Sequence, residues 1–184
     1  THNDGECAVA NSLAAVRAGA IQVQGTINGY GERCGNANLC SLIPDLELKL
    51  GKPCLPKGNL RMLTEVSHFV AEVANLAPDE HQPYVGRSAF AHKGGLHVAA
   101  MRHNQATYQH VEPSLVGNRS RVVVSELSGR GNLLSKAEEY GLDATADGEV
   151  LAELLSMIKQ LEAEGFSFEA ADASVAMMMK RRQP

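Results

Sequence analysis

Within the first fifty residues an alanine-rich helical pattern, a short alternating stretch and a glycine-rich polar loop follow one another, and that order limits which folds are open to the chain. Ala8 to Ala20 places Val9, Leu13, Val16 and Ala20 at helical spacing and meets a stop at Gly19. Asp4 is the expected N-cap. Ile21-Gln22-Val23-Gln24 alternates apolar and polar as a short strand does, Gly25 to Gly35 is a connecting loop, and a second helix begins near Asn38. This is the order of a parallel α/β unit. The carboxyl ends of strands in such units carry the ligand-binding loops, so His2-Asn3-Asp4 and the loop after Thr26 are predicted to open on one face.

Further along, Gly51 to Gly58 is a breaker segment. Asn59 is placed to cap a long amphipathic helix with Leu60, Leu63, Val66, Val70 and Val73 on one stripe, ending before Pro78. The loop-like composition from Ala77 to Tyr84 puts a boundary near residue 80, between a barrel-like part, 1–80, and a mainly helical part, 81–184. In the latter, Val122-Val123-Val124 is a short β-branched run, and helices are predicted near 129–140, 147–164 and 168–182. The 147–164 helix gathers Val150, Leu151, Leu154, Leu155, Ile158 and Leu161 on one core-facing side and stops at Gly165.

The chain has 184 residues, 44% of them hydrophobic, enough to bury a core without disulfides but short of the ~200–250 residues of a complete eight-stranded α/β barrel. No apolar run reaches the ~20 residues that span a bilayer, and the amino terminus lacks the basic and apolar regions of a signal peptide, so a cytoplasmic protein is expected. A net charge of -4 gives no general attraction to nucleic acid, and Lys180-Arg181-Arg182 sits where cations answer the dipole of a final helix. Cys7, Cys34, Cys40 and Cys54 form no C-x-x-C pair and read as reduced thiols.

Chemistry-bearing residues concentrate in two places. His2 lies at a predicted strand end, with Asn36 in a loop facing the same way; a lone His is more often a capping or packed residue than a ligand, and a catalytic metal takes about three protein ligands. Asn28-Gly29-Tyr30-Gly31-Glu32-Arg33-Cys34-Gly35-Asn36 is the densest polar stretch. Its glycines are misspaced for a dinucleotide fingerprint, which leaves close backbone approach to a ligand, with Glu32 and Arg33 supplying charge, or a tight turn with a surface ion pair. In the second half His92 and His97 flank Lys93-Gly94-Gly95-Leu96. Five residues apart on a helix they face different ways, so they are poor joint ligands, while the glycine pair could aim His97 into a cleft. Tyr108 could donate a hydrogen bond to a developing oxyanion.

Together Thr1-His-Asn-Asp4, Ala8-Val-Ala-Asn-Ser-Leu-Ala-Ala-Val16, Gln24-Gly-Thr-Ile-Asn-Gly-Tyr-Gly-Glu-Arg-Cys-Gly-Asn36 and Ser88-Ala-Phe-Ala-His-Lys-Gly-Gly-Leu-His97 resemble the 2-isopropylmalate, homocitrate and citramalate synthase family. Ala91-His-Lys-Gly-Gly-Leu-His-Val98 and Val124-Ser-Glu-Leu-Ser-Gly-Arg130 look most like its bacterial citramalate branch. The resemblance implies an α/β fold, the C-terminal portion of a TIM (β/α)8 barrel followed by helical linker subdomains. It implies that the first six barrel strands and a C-terminal regulatory domain are absent from this chain. It also implies a divalent metal (Mg, Mn or Zn), acetyl-CoA as co-substrate, a 2-oxo acid, with pyruvate giving citramalate, and a homodimer acting in branched-chain amino-acid biosynthesis.

By position, His2 and Asn36 match metal-site residues of the family, and Asn28, Gly31, Glu32 and Arg33 fall in its acetyl-CoA loop. His97, Tyr108 and Glu32 match catalytic positions, the first two in a linker that the family inserts into the neighbouring subunit's site. Ala99 departs from the pattern, standing where relatives carry an acid. By itself the chain is expected to be a catalytically inactive structural and dimerisation module.

Overall fold

A computed structural model describes residues 1–125, 128–141 and 148–182. The chain forms two compact units, 1–90 with 111–119, and 91–110 with 120–184.

The first unit is built from three helices. Helix α1, Ala8–Arg17, begins after Cys7, and its first turn is held by Asn3, whose Oδ1 accepts from the Ala8 N–H at 3.2 Å. Asp4 therefore does not cap it, because its carboxylate is committed to Arg33. Gly19, at φ +113, ends the helix as expected, its N–H donating to the Val16 carbonyl at 3.2 Å. No strand forms over 21–24, and Ile21 is fully exposed. An alternating pattern becomes a strand only where a neighbour completes its ladder, and among the described residues none does.

Helix α2, Leu39–Pro44, starts where predicted, with Asn38 Oδ1 accepting from the Cys40 N–H at 2.9 Å, and continues as a π-type turn over Asp45–Lys49. The helix expected from Asn59 begins instead as a 3-10 turn, Asn59–Met62, after Gly58, and becomes helix α3 only at Leu63–Val73. Its buried stripe is Leu60, Leu63, Ser67 and Ala71, while Val73 and Phe69 are exposed. Two clusters make the core of this unit. Ala8, Ala37, Leu42 and Leu46 pack under α1, and Cys40, Leu60, Leu63, Tyr84, Val85, Phe90 and Val116 pack under α3. Tyr84 adopts φ +65, held by its Oη donating to Asp45 at 2.6 Å and by Asn118 donating to its carbonyl at 2.9 Å.

The second unit opens with β1, Ala91–His92, paired in parallel with β2, Arg121–Val122, and joined to it through helix α4, Gly95–His103. Helices α5, Arg130–Glu139, α6, Gly148–Ala163, and α7, Asp172–Lys180, follow close to their predicted positions. Residue 147 of the predicted 147–164 helix and residues 126–127 of the Val124 to Arg130 motif lie outside the described residues. Leu151, Leu154 and Ile158 of α6 pack against Leu133, Ala137, Val175 and Met179, each fully buried aliphatic side chain contributing about 1.5–3 kcal/mol.

A buried ionic cluster ties three elements of this unit together. Lys136 of α5, with no exposed side-chain surface, lies 3.2 Å from Asp172 of α7 and 2.8 Å from Glu139, and Arg121 of β2 reaches Asp172 at 3.1 Å. Burial pushes the Asp172 carboxyl up, but the Arg121 and Lys136 bonds outweigh it and hold the group below the usual carboxylate value. Among the described residues no helix is long and apolar enough to cross a membrane.

Candidate functional site

His2 and Asn36 face each other across an isolated antiparallel bridge. The flanking bonds, Asn3 N–H to the Gly35 carbonyl and Ala37 N–H to the Thr1 carbonyl, are both 2.9 Å. That pattern makes His2 and Asn36 the close, non-hydrogen-bonded pair of the ladder, with Cα atoms about 4.5 Å apart and side chains on one face. The loop between them and α1 is shaped by two glycines. At Gly35, φ +89, a Cβ would lie 2.0 Å from the Gly29 carbonyl oxygen, and at Gly31 a Cβ would lie 2.4 Å from Asn36 Nδ2. Asn36 Nδ2 donates to the Tyr30 carbonyl at 3.4 Å, which leaves the amide oxygen as the atom a cation would meet.

Arg33 stands at φ +55, and a two-pronged bond to Asp4, Nε at 3.0 Å and Nη2 at 2.8 Å, secures it there. The Arg33 guanidinium holds the Asp4 carboxyl below the usual carboxylate range, with a smaller contribution from His2. Glu32 is exposed beside it, 3.9 Å from Arg33. Sequence reading placed Glu32 and Arg33 in this loop but missed Asp4 as the partner. The two lie 29 residues apart, and no local spacing signals such a pair.

Asn28 is bound differently. Its amide is engaged by Ser67, Gln82 and Cys40 rather than presented on the surface.

In the second unit His97 and Tyr108 come together. Their rings stack with centroids 4.1 Å apart and planes 28° off parallel. His97 sits in the first turn of α4 after Gly94, so the glycine pair does break the chain between His92, on β1, and His97, on the helix. A turn at Gln105–Thr107, closed by Thr107 Oγ1 donating to the Asn104 carbonyl at 2.7 Å, returns the chain so that Tyr108 meets His97. Buried Gln109, donating to Ser120 at 2.8 Å, anchors that segment and leaves Tyr108 half-exposed.

Fully buried Asn132 supports the β1–α4 turn from beneath, donating to the carbonyls of Lys93 at 2.9 Å and Val123 at 3.1 Å. Burial, then the neighbouring His97, push the His92 imidazole down, and its Nε2 is buried without a hydrogen-bond partner among the described residues. His2, Asn36, Glu32 and Arg33 thus belong to the first unit, and His97 and Tyr108 to the second.

An imidazole nitrogen and an amide oxygen suit a divalent cation, but a catalytic site takes about three protein ligands. Among the described residues no group of three or more His, Cys, Asp and Glu gathers to hold one. His2 and Asn36 therefore fit such an ion only in part.

Residues 1–70 match the HMGL-like family, which implies a TIM-barrel family, and residues 84–165 match the homocitrate synthase post-HMGL domain-like family. The chain is 58% identical over 181 residues to the (R)-citramalate synthase of Geobacter sulfurreducens, covering 98% of this chain and 34% of that protein. The chain belongs to the 2-isopropylmalate, homocitrate and citramalate synthase family. An (R)-citramalate synthase of Synechocystis sp. is 55% identical over 187 residues, 100% of this chain and 34% of that protein. A 2-isopropylmalate synthase of Sulfolobus acidocaldarius is 40% identical over 172 residues, 94% of this chain and 44% of that protein. The chain thus spans about a third of the length of the citramalate synthases it matches.

Proposed function

We propose that the full-length protein is an acyltransferase that condenses acetyl-CoA with pyruvate to citramalate, and that this chain carries part of its catalytic apparatus. The observation that carries the reading is the likeness to (R)-citramalate synthases along almost the whole chain, higher than to the 2-isopropylmalate synthase. In this reading residues 1–80 contribute the last βα units of a TIM barrel, 81–184 the helical linker, and the protein is a cytoplasmic homodimer.

The reaction needs a proton taken from the acetyl methyl, attack of the resulting carbanion on the ketone carbon of the 2-oxo acid, and a proton delivered to the new alkoxide. Water then hydrolyses the thioester to release a carboxylate and CoA. His2 and Asn36 are the residues that would contribute to holding a divalent metal, which when bound supplies Lewis acidity toward the 2-oxo acid. Arg33, fixed by Asp4, presents a guanidinium to anionic parts of the acetyl-CoA, with Glu32 and Gly31 beside it. His97 Nε2 or Nδ1 moves a proton, and the stacked Tyr108, whose hydroxyl donates to the developing oxyanion, fixes the ring plane. In the homodimer the pair serves the neighbouring subunit's site. In this reading the chain alone is a structural and dimerisation module without turnover.

The test is CoA release by the full-length protein from acetyl-CoA with pyruvate, 2-oxoisovalerate or 2-oxoglutarate in turn. Release with pyruvate above the other two is expected. Preference for 2-oxoisovalerate or 2-oxoglutarate would reassign the protein to the 2-isopropylmalate or homocitrate activity, and no release with any would refute the enzyme reading.

A further inference from the structure

Asn28 makes four side-chain hydrogen bonds within the first unit. It stands in the left-handed region at φ +61, immediately before the loop that bears Gly31, Glu32 and Arg33. Its Oδ1 accepts from Ser67 Oγ at 2.5 Å, Gln82 Nε2 at 3.2 Å and Cys40 Sγ at 3.5 Å, and its Nδ2 donates to the Ser67 carbonyl at 2.8 Å. All three partners are buried: Ser67 in α3, Cys40 in α2 and Gln82 in the turn before Tyr84. Burial pushes the Cys40 thiol up, which keeps it an S–H donor.

One amide therefore joins three separate segments to one end of the loop, while its other end is fixed by the His2–Asn36 bridge. Burying polar groups of this kind is favourable only when each is paired, so the loop is specified from inside the fold rather than by its own exposed residues. The same bonds give the buried Ser67 of α3 a partner for its hydroxyl.

We infer that Asn28 is a positioning residue that sets the Glu32–Arg33 loop from beneath, coupling its placement to α2 and α3 without touching the acetyl-CoA. The inference rests on the acyl-transfer reading and departs from the family expectation that Asn28 contacts that ligand. Displacing reacting groups by about 1 Å costs on the order of 10²-fold.

The test uses Asn28→Gly and Ser67→Ala in the full-length protein. Glycine tolerates the left-handed backbone while removing the amide, and Ser67→Ala removes its bonding partner without changing the loop's own backbone. Both variants are expected to raise the KM for acetyl-CoA about tenfold or more, consistent with that scale of misplacement, and to leave the KM for the 2-oxo acid unchanged. A variant that only unfolds more readily would lower apparent kcat and move neither KM. If Ser67→Ala leaves the acetyl-CoA KM at the wild-type value while Asn28→Gly raises it, the ligand-contact role returns and the inference falls. Hydrogen exchange of amides 29–36 reads the same loop independently of turnover. Faster exchange there in both variants supports the inference even if the wild-type protein proves inactive, and unchanged exchange overturns it.

Discussion

Asp172 answers two buried cations, Arg121 and Lys136, which makes Asp172→Ala more damaging than loss of either cation. Arg121 is 8% exposed, Lys136 is not exposed, and Asp172 itself is 20% exposed. Removing one partner of a buried ion pair costs about 3–5 kcal/mol, and the residual exposure of Asp172 places this case at the lower end, about 3 kcal/mol. Lys136→Met leaves the Arg121–Asp172 bond in place and substitutes an apolar chain of similar length, so it is expected to stay within about 1 kcal/mol of wild type. The assay is native-state hydrogen exchange of the α5 amides in the full-length protein, where opening free energies are read locally. About 3 kcal/mol corresponds to exchange on the order of 10²-fold faster in Asp172→Ala.

The pH dependence has a definite sign. The folded Asp172 carboxyl is held below its ordinary value of 3.8, so its stabilisation is complete above that value and is lost as the pH falls through the folded value. Protection of α5 should therefore be flat from pH 5 to 8 and decline in acid. Equal exchange in the two variants, or a faster rate in Lys136→Met, would refute the assignment of Asp172 as the shared counter-ion.

Gly35→Ala would drive a Cβ into the Gly29 carbonyl oxygen, so full-length activity is expected to fall at least tenfold while the far-UV spectrum keeps its helical form; undiminished activity would show that the loop relaxes freely. Ile158→Ala opens a cavity in the α5–α6–α7 core and is expected to cost about 2–5 kcal/mol, read as faster exchange across α6, whereas Ile158→Val costs about 0.5–1.5 kcal/mol. His97→Gln should lower kcat by about 10²–10⁴-fold, the usual contribution of a positioned acid or base, while stability falls by no more than the lost stack on Tyr108, about 0.5–1.5 kcal/mol. A kcat within threefold of wild type would remove His97 from the reaction.

Where the signal was local, the fold was legible. The α6 face follows from apolar spacing within one helix, and the start of α2 near Asn38 follows from the end of the glycine-rich loop before it. The α3 stripe lies toward Ser67, whose hydroxyl is paired with Asn28 39 residues away, a partner that apolar spacing does not reveal. Residues 21–24 alternate correctly yet form no strand, since a ladder is a property of two segments. His97 and Tyr108 were each singled out, but their stacking depends on the turn after Asn104, which spacing does not reveal. The Asp4–Arg33 pair and the reach of Lys136 and Arg121 to Asp172 left no trace in pattern, being made by long-range contact.

Residues 111–119 belong to the first unit although 91–110 precede them in the second. Val116, with no exposed surface, completes the cluster under α3, and Asn118 donates to the carbonyls of Tyr84 and Gly86. During synthesis the first unit therefore cannot close when residue 90 leaves the ribosome. It must wait for residue 119, holding an open apolar face while β1, α4 and the Tyr108 segment emerge. A gene split between the two family matches, at residues 70–84, would yield an amino-terminal product lacking that closing segment, a candidate for chaperone capture rather than a folded domain.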